Sequence, residues 1–142
     1  MRAALRVRQV MNVVNLSTPL GLLVALAGRA GVTRGPDGLL LARGYRLPVP
    51  TAPAFTLGNV VVVRDGETLV RRPRLLTHEA RHATQYAWCV GPVMLPLYGV
   101  AAAWSWLRSR DYATSNVFER LAGLEDGGYR LPPTGGHDQH HV

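Results

Sequence analysis

With 142 residues the chain has room for one domain, and 47% hydrophobic residues can furnish only a small core. Its net charge of +7 rests on 16 arginines without a single lysine, scattered except for Arg71, Arg72 and Arg74; no aromatic–basic pattern accompanies them, which argues against a nucleic-acid-binding surface. The lone Cys89 excludes an internal disulfide framework and an iron–sulfur cluster held by this chain's thiolates alone, and its apolar surroundings predict a small buried side chain.

The N-terminal segment begins basic and turns apolar from Val10 to Ala27, interrupted by Asn12, Asn15, Ser17, Thr18 and Pro19. These polar residues, and the lack of a small-residue cleavage site after them, favour a retained segment over a signal peptide, with an uncleaved membrane anchor as the alternative. The pattern predicts a short helix or strand, a turn near Ser17-Thr18-Pro19, and a helix over Leu20–Ala27 ended by Gly28. Gly35-Pro36-Asp37-Gly38 reads as a turn, and Leu39–Ala42 as a short buried strand. Three prolines between Leu47 and Pro53 remove ladder donors, so this stretch is expected to be an extended linker.

Phe55–Val63 reads as one β-branched strand, with a hairpin turn at Asp65-Gly66 and a returning strand over Glu67–Val70. Pro73 suits the first turn of a helix that continues to about Trp88, before Gly91-Pro92 breaks it. The run Trp88–Leu107 carries no charge and has tryptophan at both ends. Twenty such residues are enough to enter a membrane, and the same pattern fits a buried helix packed on its predecessor. After a loop at 111–116, Ser115 or Asn116 can cap a last helix over Val117–Gly123, which Gly127-Gly128 stops. Residues 131–142 have the composition of a disordered tail, so the domain is expected to span 1–130; tail residues His137, His140 and His141 can bind metal adventitiously.

The chemistry-bearing motif lies in Leu75-Leu76-Thr77-His78-Glu79-Ala80-Arg81-His82-Ala83-Thr84-Gln85. On a helix His78 and His82 share one face and can ligate one cation, while Glu79 stands about 100° further round. That arrangement suits two neutral imidazoles on Zn²⁺, with a carboxylate beside a metal-activated water as general base. Apart from the three tail histidines, the chain has no others. A third ligand is required. Glu119, on a second helix after a connection long enough to reverse direction, is the favoured candidate; Asp65, Glu67, Asp111, Glu125 and Asp126 are the others.

Taken together, Ala54-Phe55-Thr56-Leu57-Gly58-Asn59, a strand, and Leu75–Gln85 resemble the small gluzincin-like zinc metallopeptidase domains that also occur in bacterial toxins and in core proteins of contractile injection systems. The likeness covers Ala54 to Gln85 and extends through Asn116-Val117-Phe118-Glu119. It implies an α+β fold, with a small antiparallel sheet or hairpin beside the motif helix and further helices. It also implies zinc on His78 and His82, Glu79 as general base, a peptide or protein substrate paired with an edge strand, and a matching Gln85 of unassigned role. Tyr98, Tyr129 and Arg120 are candidates for stabilising the oxyanion. Three features depart from the pattern: Glu119 follows His82 by 37 residues, an apolar insertion separates them, and Arg81 adds a positive charge inside the motif. The rival expectation is a zinc-stabilised, catalytically inactive module that contacts a membrane through Trp88–Leu107 or engages a protein partner.

Overall fold

The computed structural model describes residues 2–89 and 91–129. The chain is α+β: α1 (Ala3–Val14), α2 (Ser17–Ala27), β1 (Gly31–Arg34), β2 (Leu40–Arg43), β3 (Ala54–Leu57), β4 (Val60–Val63), α3 (Thr68–Arg71), α4 (Pro73–Trp88), α5 (Met94–Ser109) and α6 (Val117–Ala122). The four strands form one sheet in the order β1-β2-β4-β3. β3 and β4 are antiparallel, as are β1 and β2, but β2 and β4 run parallel, so the sheet is mixed rather than antiparallel throughout.

β4 is the centre of the core. Its four valines are all fully buried, each contributing roughly 1.5 kcal/mol or more. The period of two sends Val60 and Val62 to one face, against Ala25 of α2, Ala42 and Tyr45, while Val61 meets Leu39, Leu41 and Ala83 of α4 on the other. The sheet therefore lies between α2 and α4, and β3, at its edge, runs alongside the motif helix.

Two sequence expectations are corrected here. Phe55–Val63 is not one strand but a hairpin folded at Gly58-Asn59, with Leu57 opposite Val60. Gly58 has φ +60, the value that the first central position of a tight two-residue turn demands, and a side chain there would strike the backbone of Ser17 and Thr18. Asp65-Gly66 does not turn a hairpin. The Asp65 carboxylate accepts from the Glu67 N–H at 3.0 Å and the Asp65 carbonyl from the Thr68 N–H at 3.0 Å, where α3 begins, so 67–70 enters a helix instead of a returning strand.

The N-terminal segment is a bent helix pair in which α2 begins at Ser17, three residues before the expected start, with Pro19 in its first turn. It is tied to the rest by buried amides. Asn12 Nδ2 donates to Asn59 Oδ1 at 2.9 Å and to the Ala83 carbonyl at 2.8 Å; Asn59 Nδ2 donates to the Gln9 carbonyl, and the Asn59 N–H to Thr18 Oγ1. Asn59→Ala is expected to cost about 2–3 kcal/mol in urea denaturation, because it strands buried partners on α1; a loss under about 0.5 kcal/mol would show that the network does not hold the helices.

Strand β1, four exposed residues, has no counterpart among the sequence expectations. The linker 47–53 is without strand, as its prolines require. Cys89 is half-buried rather than buried. Among the described residues no single helix is long and apolar enough to cross a membrane. The apolar run breaks at Gly91–Val93, and α5, with only Met94 and Ser105 buried, is not a core helix either. The proposed tail, 131–142, lies outside the described residues.

Candidate metal centre

α4 buries one stripe: Leu75, His78, Glu79, His82, Ala83 and Tyr86. Helical spacing thus turns His78, Glu79 and His82 inward, while Thr77 and Arg81 stay exposed. α6 packs against this face, starting at Asn116, whose side chain accepts from the Phe118 N–H at 3.0 Å. That cap sets Glu119 in the first turn, aimed at α4. His78, His82 and Glu119 come together as a buried group able to hold a metal ion. Their ligand atoms lie 3.0 Å (Nε2 to Nε2), 3.1 Å (His78 Nε2 to Glu119 Oε2) and 3.5 Å (His82 Nε2 to Glu119 Oε2) apart.

The partners behind these atoms decide what they can do. Gln85 Nε2 donates to the Phe118 carbonyl at 2.8 Å, which leaves Gln85 Oε1, an acceptor, facing His82 Nδ1 at 2.8 Å. His82 Nδ1 must then carry its proton. His78 Nδ1 likewise faces the Gly123 carbonyl at 2.9 Å and donates to it. In the neutral imidazoles both Nε2 atoms are therefore lone pairs, pointed at one spot. Tyr98 donates its hydroxyl to Glu119 Oε1, leaving Oε2, buried and without a hydrogen-bond partner, on the same spot.

Three electron-rich atoms this close repel unless a positive charge lies among them. A single proton on one Nε2 can satisfy one contact of the three. A tetrahedral ion with nitrogen and oxygen ligands at 2.0–2.1 Å holds them about 3.3 Å apart, close to the separations observed. The donor set fits a divalent cation. Without an ion, burial works to raise the Glu119 pKa, but a proton shared with His78 and His82 and the hydrogen bond from Tyr98 outweigh it and hold the carboxylate ionised. Burial opposes a charge on His82, yet Glu119 and Glu79 together raise its pKa above the ordinary histidine value.

No protein-family model, curated protein or solved structure matches this chain. The site is accordingly read from its own geometry.

Glu79 is buried and held by Thr56 on β3, whose hydroxyl donates to Glu79 Oε2 at 2.6 Å. Burial raises its pKa, and the nearby histidines and Thr56 offset this only in part. Glu79, the three ligand candidates and Tyr129 all line one cavity of about 530 Å³, whose other walls are β3, Leu20 and Val24 of α2, and Met94, Leu95 and Tyr98 of α5.

The other acidic candidates are engaged elsewhere. Asp65 pairs with Arg71 at the surface, exposed Glu125 lies 3.9 Å from Arg74, and Asp126 pairs with Arg81 at 2.8 Å. Asp111 caps its own loop and Glu67 is exposed. Arg81 does not crowd the site: it reaches past α4 to the Ala122 carbonyl and Asp126, clamping α6 in place. Gln85, Thr56 and Tyr98 are the supporting residues that spacing alone leaves without roles. Gln85→Leu is expected to weaken metal binding about 10–100-fold while His78 and His82 remain, as measured by competition with a chromogenic chelator; unchanged affinity would show that the His82 tautomer is set otherwise.

Proposed function

We propose that the chain is a zinc-dependent hydrolase whose substrate is a peptide bond. The observation that carries this reading is the opening of the buried His78, His82 and Glu119 group into the same cavity as Glu79, along the edge strand β3. The resemblance of Leu75–Gln85 and Ala54–Asn59 to gluzincin-like domains supports it.

Zinc, when bound, supplies Lewis-acid polarisation of a carbonyl and acidification of water. The chain's residues do the rest. Glu79, with its raised proton affinity, takes the proton of the attacking water and delivers it to the leaving amine. Thr56 orients the Glu79 carboxylate. Tyr98 and Gln85 keep Glu119 and His82 aimed. β3 has a neighbour on one side only, so its other side can add an extended peptide, and the apolar cavity wall receives a hydrophobic side chain of that peptide. Tyr129 is the best-suited oxyanion donor. It lies in the cavity beside His78, ring centroids 6.0 Å apart, whereas the Tyr98 hydroxyl is committed to Glu119 and Arg120 is exposed. Tyr129→Phe is expected to lower kcat by about 10²–10³ with bound zinc unchanged; full activity in that variant would move the role elsewhere.

The test is cleavage of a proteome-derived peptide mixture, read by mass spectrometry. Cuts beside apolar residues, abolished by chelation and restored by zinc, are expected. An untouched mixture in the presence of one zinc equivalent would leave a structural metal site without hydrolysis.

A further inference from the structure

α5 is an apolar helix with almost nothing packed over it. Of its 16 residues only Met94 and Ser105 are buried, while Leu95, Leu97, Val100, Trp104 and Leu107 face outward. The surface continues past the helix. The α1–α2 corner touches the α4–α5 corner where Asn15 meets Gly91, and Asn15 Nδ2 donates to the Tyr86 carbonyl at 3.1 Å. Exposed Val14 and Leu16 flank this contact from one chain segment, exposed Trp88 and Val93 from the other. All three tryptophans of the protein, Trp88, Trp104 and Trp106, lie on these segments, and each is exposed.

Charge is distributed to match. No aspartate or glutamate occurs before Asp37 or between Glu79 and Asp111, so α1 and α5 carry arginines and no acid: Arg6 and Arg8 on α1, preceded by Arg2, and Arg108 at the end of α5, followed by Arg110. At 16 residues α5 is about 24 Å long, short of the ~30 Å hydrocarbon core. An apolar helix too short to span, with tryptophans on its flanks and two exposed arginines at its end, has the makeup of one that lies in the interface of a negatively charged bilayer.

We propose that the protein docks α5 and the adjoining α1–α2 corner on an anionic lipid bilayer. The helix enters to the depth of its apolar side chains, and Arg108 and Arg110 meet the lipid headgroups. Leu95 belongs both to this face and to the cavity wall, so the cavity adjoins the membrane side of the molecule. If the hydrolase reading holds, the substrate class follows: a peptide segment apolar enough to reside at the bilayer surface.

The experiment is flotation of the full chain with vesicles of phosphatidylcholine, with and without phosphatidylglycerol, read together with tryptophan emission. Co-flotation with the anionic vesicles and a blue-shifted emission are expected. Val100→Asp with Leu107→Asp, at positions 70% and 72% exposed where folding is not at stake, should reduce binding at least about tenfold with metal content unchanged. Arg108→Gln with Arg110→Gln should lower binding to the anionic vesicles about fivefold per arginine and leave neutral vesicles unaffected. Absence of flotation, flotation that the aspartates do not diminish, or a dimer in solution that the aspartates dissociate would each overturn the proposal. The last result would assign the face to a second copy of the chain.

Discussion

Glu79→Gln is expected to keep its metal and lose its turnover, with kcat falling about 10²–10⁴-fold. The substitution preserves shape, so Thr56 still finds an acceptor where the Glu79 carboxylate stood. Glu79 is not one of the three residues whose ligand atoms meet. The same variant carries a stability signature. Burial raises the pKa of Glu79 in the folded chain, so ionising it weighs against folding. A group with a raised folded pKa gives its full contribution below its unfolded value and loses it as pH rises through the folded one. Metal-free Glu79→Gln should therefore melt at or above the parent protein at neutral pH, and the advantage should vanish in acid, below the ordinary glutamate range. A variant that retained hydrolysis would remove Glu79 from the general-base role.

The second large effect is on metal affinity. Spread over the ligands, the 10–16 kcal/mol typical of structural zinc assigns about 3–4 kcal/mol to each, so His82→Ala or Glu119→Gln should weaken binding on the order of 10²–10³-fold. Glu119→Gln is the more telling of the two. It keeps an oxygen for Tyr98 and the packing on α4, and removes only the charge. Metal also stabilises the fold by mass action: at a free concentration a thousand times its Kd, about 4 kcal/mol, on the order of 10 °C in Tm for a domain of this size. Chelation should lower Tm by that amount in the parent protein and by no more than about a third of it in either variant. An equal drop in the variants would mean that the ion binds elsewhere.

The trio was legible in the sequence because it depends on local rules. The i, i+4 spacing joins His78 and His82 without help from the fold, and the capped helix at Asn116 presents Glu119 within its first turn. The hairpin was misplaced because Asp65-Gly66 has the generic composition of a turn. The turn at Gly58-Asn59 is instead fixed by contacts from remote elements: Thr18, Asn12 and Gln9 hold Asn59. Strand β1 leaves no apolar alternation to read, since all four of its residues are exposed. Arg81, counted by position as a charge near the metal, is drawn off by Asp126 and the end of α6, and Gln85 acquires its role only when Phe118 comes within reach. Neighbours distant in sequence decide these residues, so spacing alone could not assign them.

Binding of one divalent ion by His78, His82 and Glu119 underlies the proposed hydrolysis. It is tested most directly by elemental analysis of the full chain, purified without a tag, in which His137, His140 and His141 are replaced by alanine so that only the buried group competes for metal. One equivalent of zinc, lost in both His82→Ala and Glu119→Gln, is the expected result. No bound metal after zinc has been supplied, or zinc retained in both variants, would contradict it.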